Sequence, residues 1–112
     1  MDINLVENSL GLKLPHSYKE AVGKIEGHSS SVSNFITNSD EVICENLSLR
    51  NGGYNGMKWP PNYFCFATDG MGSYLYIDAN LVSSPVFLAD EEEFGTLCED
   101  SLSDWVLVNL GC

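Results

Sequence analysis

The stretch from Trp59 to Asp78 constrains the fold more than any other part of the sequence. Two runs rich in aromatic and β-branched residues flank the step Asp69-Gly70. An Asp-Gly step between such runs favours a tight β-hairpin, because glycine adopts positive φ without a Cβ clash. A two-residue turn would place Phe64 opposite Leu75. The sequence therefore predicts a central hairpin in an antiparallel sheet.

The two faces of this hairpin differ in chemistry. Alternation along the strands places large apolar side chains on one face, which is typical of a core: Phe64, Phe66, Leu75 and Ile77. The opposite face carries mainly rings with polar tips, which suit a partly solvated surface or an interface: Tyr63, Cys65, Tyr74 and Tyr76. We therefore expect Tyr74 and Tyr76 to be aromatic anchors for a binding partner, since large rings are favoured at interface hot spots.

Capping residues and apolar periodicity predict helices on both sides of the hairpin. They cover residues 2–10, 15 to a stop at 27, 39 to about 49, and 101 to a stop at 111. The third helix has capping-box spacing, because Asn38 is followed three residues later by Glu41. The last helix begins at Ser101, whose hydroxyl can cap it, and its spacing predicts an inward face: Leu102, Trp105, Val106 and Leu110.

Two further segments predict strands, a short one at 35–37 and one at 85–89 that begins with a proline. Helices followed by strands with short connections and then a helix is the order of an α+β fold, with helices packed against an antiparallel sheet. A chain of 112 residues buries one modest core. We therefore expect a single domain over residues 1–112.

The charge balance is explained equally well by a cationic protein partner and by the solubility that a high net charge gives a small protein. Five Lys and Arg against sixteen Asp and Glu give a formal net charge of −11. This charge repels nucleic acid and anionic membranes and accelerates encounters with basic proteins. The chain shows no basic segment followed by an apolar run, and no apolar stretch approaches the roughly 20 residues that span a bilayer. We therefore expect a cytoplasmic protein.

Catalytic, metal and cofactor sites are not indicated. His16 and His28 are the only imidazoles, and neither lies beside a recognisable nucleophile motif. Asp69 and Asp78 are interpreted as turn residues. The acidic run Asp90–Glu93 lacks the alternating pattern of a calcium loop. The four cysteines lack zinc-site spacing and are expected to be buried thiols.

Several segments resemble the SUKH superfamily, which joins bacterial immunity proteins with a yeast cell-wall regulator. They are Leu10–Lys19, Ile36–Asn51, Phe66–Gly72, Tyr76–Asp78 and Ser101–Val106. The resemblance implies a non-catalytic α+β domain without a cofactor. It also implies a partner, because many bacterial members protect the cell by binding a polymorphic or contact-dependent toxin, often a nuclease.

The leading hypothesis is an immunity protein that neutralises a basic toxin. A nuclease holds phosphates with Lys and Arg, so an inhibitor rich in carboxylates meets it with complementary potential. The expected partner contacts are Tyr74, Tyr76, Asp90, Glu91, Glu92, Glu93, Glu99, Asp100 and Asp104. A solvated loop is the alternative interpretation of the acidic run.

Two other hypotheses stay open from the sequence. One is a regulatory or scaffold domain that binds an endogenous protein, as the yeast relative is thought to do. The other is a small hydrolase or nuclease that uses Asp69, Asp78 or a histidine. The toxin's identity, the face that binds it and the oligomeric state are not determined by the sequence.

Overall fold

A computed structural model describes residues 1–26, 35–53, 56, 58–68, 72–89 and 94–110, with Phe94 and Leu110 described by their backbone only. The helices are α1 (Ile3–Leu10), α2 (His16–Glu26), α3 (Ser39–Gly52) and α4 (Leu102–Leu110). The strands are β1 (Tyr63–Thr68), β2 (Tyr74–Asp78), β3 (Val86–Ala89) and β4 (Phe94–Glu99). The strands form one antiparallel sheet in the order β1-β2-β3-β4, so the predicted α+β class is confirmed.

The predicted caps at Asp2, Gly11 and Asn38 were correct, whereas the predicted stops at Gly27 and Gly111 lie outside the described residues. Asp2 caps α1 by accepting a hydrogen bond from the Leu5 N–H at 3.1 Å, and Gly11 ends it with φ of 66°. Asn38 caps α3, where its Oδ1 atom accepts from the Glu41 N–H at 3.0 Å. These caps satisfy helix-end groups within a few residues of sequence, so they do not depend on the rest of the fold.

The predicted register of the central hairpin was wrong. Phe64 lies opposite Ile77, and not opposite Leu75. The strands end at Thr68 and begin again at Tyr74, so a five-residue connection replaces the two-residue turn. The register moved by an even number of residues, which leaves every side chain before the bulge on its predicted face.

The first face of the sheet builds the main core. Phe64, Phe66, Leu75 and Ile77 are all buried there, as predicted. A bulge between Cys65 and Ala67 places Ala67 on this face as well, beside Phe66 and opposite Leu75. All four helices contribute buried apolar side chains to the same core, among them Val6, Tyr18, Val42 and Trp105.

The second face of the sheet is more enclosed than the sequence predicted. Cys65 is fully buried and Tyr76 is only 2% exposed, in a smaller cluster with Leu49, Trp59 and Ala89. The expectation of a partly solvated face was wrong for Cys65 and Tyr76. This face is enclosed because Trp59, which precedes the hairpin, packs edge-on against the Tyr76 ring, with centroids 5.1 Å apart.

Asn46 joins helix α3 to the edge of β1. Its Oδ1 atom accepts from the Cys65 N–H at 2.8 Å, and its Nδ2 atom donates to the Cys65 carbonyl at 2.9 Å. One side chain therefore pairs with both backbone groups that an edge residue would otherwise leave unpaired. Leu47 is 38% exposed, because Asn46 and Leu49 occupy the inward stripe.

Strand β4 was missed by the sequence analysis. It follows the acidic run and contains Gly95, which has φ of 95° and lies at an irregular step of the β3–β4 ladder. The predicted strand at 35–37 is reduced to a single bridge between Phe35 and Ala67. Helix α3 also extends past the predicted end at Leu49 to Gly52.

Candidate protein-binding surface

The residues predicted to bind a partner fall at two ends of the sheet. Tyr74 pairs with Ala89, which pairs with Phe94 at the start of β4. Glu99, at the other end of β4, pairs with Val86. Five steps along a strand span roughly 17 Å. One compact patch therefore does not hold Tyr74 and Glu99 together.

The acidic run Asp90–Glu93 lies outside the described residues. In the sequence it joins Ala89 to Phe94, so it is attached at the Tyr74 end of the sheet. Asp100 follows Glu99 directly and therefore belongs to the opposite end. Binding by any of these carboxylates stays a prediction.

Tyr76 is a core residue. Its ring stacks on Tyr63 with centroids 4.7 Å apart and on Phe87 at 5.5 Å. Desolvation by burial, with smaller contributions from Tyr63 and Asp78, raises the pKa of Tyr76 to about 12. We leave Tyr76 out of the binding surface, because the folded protein already covers its ring.

Tyr74 lines a groove beside helix α3. The groove has a volume of about 340 Å³, and its other walls are Glu41, Cys44, Glu45 and Ser48. These positions share the helix side that turns away from Val42. Glu41 lies in the first turn of α3, where a carboxylate is stabilised by the positive end of the helix dipole. The groove thus combines a half-buried ring with two carboxylates.

A second acidic surface surrounds the start of helix α4. Ser101 caps this helix, and its hydroxyl accepts from the Asp104 N–H at 3.1 Å, as predicted. Asp100 and Asp104 are exposed, and Glu99 is half-buried. None of these three carboxylates forms a salt bridge with another residue in the described part of the chain.

The candidate catalytic groups serve other roles where they are described. His16 opens helix α2, is exposed and lies 2.7 Å from Glu20 one turn later. Asp78 accepts from the Asn62 side chain at 2.8 Å and from the Asn80 N–H at 2.9 Å. Its carboxylate therefore fixes the turn after β2, as interpreted from the sequence. His28 and Asp69 lie outside the described residues.

Two of the cysteines are not buried, contrary to the sequence-based expectation. Cys44 and Cys98 are exposed, whereas Cys65 is fully buried and burial raises its pKa. Cys44 lies on the groove side of α3, and Cys98 lies on the last strand of the sheet. Cys112 is not among the described residues. Within the described ranges, no three His, Cys, Asp or Glu side chains gather closely enough to hold a metal ion.

The amino-acid sequence matches a known protein family. The family model for the SMI1/KNR4 family (SUKH-1) matches residues 1–107 of the 112-residue chain. This chain belongs to that family. The predicted resemblance is therefore confirmed over nearly the whole sequence. Searches of curated proteins and of solved structures found no match.

Membership of the SMI1/KNR4 family does not by itself identify which surface of the protein binds a partner. Among the helices described, none combines the length and apolar character needed to cross a membrane. The sequence analysis missed Glu41 and Glu45, which line the Tyr74 groove. Their signal was present, since they recur at helical spacing on the side of α3 away from its apolar stripe.

Proposed function

We propose that this SMI1/KNR4 family protein is an immunity protein that acts in the cytoplasm by binding a basic protein toxin, with a nuclease domain as the expected target. The observation that carries the proposal is the surplus of unpaired carboxylates. With a net charge of −11, the protein exposes Asp40, Glu41, Asp100 and Asp104, and none of them has a salt-bridge partner among the described residues. Family membership supports a protein-binding role.

The physics of this charge favours a partner that binds phosphate. A nuclease surface carries Lys and Arg, and an acidic protein approaches such a surface with complementary potential. Long-range attraction raises the association rate, and it is screened over about 8 Å at physiological salt. Inhibition then requires only that the acidic protein cover the groove that holds the nucleic acid. No bond in the immunity protein has to form or break.

The test uses the product of the gene immediately upstream as the candidate toxin. Both proteins are purified, and binding is followed by biolayer interferometry while toxin activity is followed by growth of cells that express both. We expect a stable complex and restored growth. Absence of both a complex and rescue would refute the proposal, and would leave a domain that binds an endogenous protein as the remaining hypothesis.

Variants that replace carboxylates by neutral amides of the same size identify which acidic surface accelerates association. Glu41→Gln/Glu45→Gln changes the groove beside Tyr74, and Asp100→Asn/Asp104→Asn changes the surface at α4. Glu91→Gln/Glu92→Gln/Glu93→Gln tests the acidic run. Each variant keeps the side-chain size and removes the charge. The variant that removes the steering charge should slow association and flatten its dependence on salt, while dissociation changes less.

A further inference from the structure

Helix α4 exposes two apolar side chains that the fold does not use. Leu102, Trp105 and Val106 point inward and are at most 6% exposed. Leu107 and Val108 follow them directly, and they are 44% and 66% exposed. A helix that is apolar on every side is normally buried on every side. The outer side of α4 departs from that rule.

These two side chains form one surface with a carboxylate. Asp104 precedes Leu107 by three residues and Val108 by four, so all three lie on the same side of the helix. We call Asp104, Leu107 and Val108 the α4 outer face. Asp100 is exposed just before the helix, and Glu99 is half-buried beside it. The apolar pair is therefore bordered by negative charge at one end.

The stability of the fold does not explain why Leu107 and Val108 are apolar. Val108 is β-branched, and a β-branched residue is a weaker helix former than Ala, Lys or Glu at an exposed position. Neither Leu107 nor Val108 belongs to either core cluster. Adjacent apolar side chains with a charged border are the usual composition of an interface that is buried by a partner.

We infer that the α4 outer face is where the toxin docks, and this inference rests on the proposed function. The occupant it fits is an apolar patch bordered by Lys or Arg on the toxin, because Glu99, Asp100 and Asp104 supply only negative charge. A second copy of this chain is disfavoured by the same charges. A symmetric contact across this face would bring equal carboxylates together.

The chain contains a matched control. Leu81 and Val82, in the turn between β2 and β3, form another adjacent Leu-Val pair, and they are 42% and 91% exposed. Their sequence neighbours, Asn80 and Ser83, are uncharged. Leu81→Ser/Val82→Ser therefore removes the same chemical groups at similar or greater exposure, in a turn whose one nearby carboxylate, Asp78, accepts hydrogen bonds from Asn62 and Asn80.

The experiment compares Leu107→Ser/Val108→Ser with Leu81→Ser/Val82→Ser in binding to the candidate toxin encoded upstream. Dissociation constants are measured by isothermal titration calorimetry, and the thermal midpoint of each free variant is checked first. We expect the α4 variant to bind about 30-fold more weakly, because it loses the apolar area that the partner would bury on Leu107 and Val108, and the turn variant to bind like wild type. Both variants should lower the thermal midpoint by a similar amount, roughly a few degrees, since Leu107 and Leu81 are 44% and 42% exposed and the rest of each side chain is covered by the fold.

The outcomes separate this inference from the proposed function. If wild type binds and the α4 variant binds equally well, the α4 docking site is refuted and the immunity function stands. If only the turn variant loses affinity, the docking site lies at Leu81 and Val82 and the inference is refuted. If wild type is a dimer by light scattering and Leu107→Ser/Val108→Ser makes it monomeric, a second copy covers the face. If wild type does not bind, the proposed function fails and the inference fails with it.

Discussion

Replacing Asn46 by leucine should destabilise the protein strongly, although leucine is apolar and the site is fully buried. The Asn46 amide is the partner of both the N–H and the carbonyl of Cys65, and it also donates to the Val42 carbonyl at 2.8 Å. Val42 keeps its helical bonding, whereas Cys65 lies on the edge strand β1, where its backbone N–H and carbonyl pair with Asn46. Asn46→Leu therefore leaves two buried backbone groups without partners.

The magnitude follows from those two groups. Each buried polar group that loses its partner costs about 1–3 kcal/mol. Leucine returns part of this by burying more apolar surface, but its branched end has to fit a space shaped by a planar amide. We expect a net loss of about 2–4 kcal/mol in the free energy of unfolding. For a chain of this length, that corresponds to a fall of roughly 8–16 °C in the thermal midpoint.

The assay is urea unfolding followed by tryptophan fluorescence, because Trp59 and Trp105 are both buried and become solvated on unfolding. Asn51→Leu is the matched control, since Asn51 is an exposed asparagine in the same helix. It should change the free energy of unfolding by less than about 0.5 kcal/mol. If Asn46→Leu lies within 1 kcal/mol of wild type at an unchanged m value, roughly the cost of a single unsatisfied group, the argument from edge pairing is wrong.

Three further predictions concern ionisation, packing and thiol access. The raised pKa of Tyr76 stabilises the fold below about pH 10, and this contribution is lost as the pH rises toward 12. The free energy of unfolding of Tyr76→Phe should therefore fall less steeply with alkaline pH than that of wild type. An equal pH dependence in both proteins would contradict this. Arg50 donates to the Leu10 carbonyl and to the Pro61 carbonyl at 2.7 Å. Arg50→Met should therefore lower the free energy of unfolding by about 1–3 kcal/mol, whereas Lys58→Met, at an exposed position, should not. Equal denaturation curves for the two variants would show that these hydrogen bonds do not stabilise the fold. In the native protein, Ellman's reagent should modify Cys44 within minutes and Cys65 only after denaturation, because Cys44 is exposed and Cys65 is buried. Mass spectrometry of the labelled peptides measures the order, and labelling of Cys65 before Cys44 would contradict the prediction.

The two acidic surfaces suggest different contributions to binding. The groove at Tyr74 offers a half-buried ring and two carboxylates, whereas the α4 outer face offers exposed apolar area beside carboxylates. Rim charge mainly changes association rates, and buried apolar contacts mainly change dissociation. The neutral variants and the serine variants therefore report on separate kinetic steps.

Part of the candidate surface was predictable from the sequence, and part was not. Asp100 and Asp104 were predicted because a capped helix start places its acidic residues in solvent near the positive helix end. The helical spacing correctly placed Leu102, Trp105 and Val106 on the inward face, but it assigned no role to Leu107 and Val108, which lie outside that face. The available signal was that α4 contains more apolar residues than a single inward face requires.

The sequence by itself determined the features whose causes lie within one or two turns of chain. Asp2, Gly11, Asn38 and Ser101 mark helix ends correctly, because capping groups and the atoms they satisfy are only a few residues apart. The core face of the hairpin was also fixed locally, since strand alternation is independent of an even shift in register.

Only the tertiary structure decided the features that depend on contacts between distant segments. Trp59 closes over Tyr76, and Asn46 pairs with the edge of β1 at Cys65, 19 residues away. Strand β4 exists because β3 offers it a ladder, although its own sequence carries Gly95 and little β-branched character. Burial and pairing are set by what the fold brings alongside each residue, and the residue's own neighbours in the chain do not contain that information.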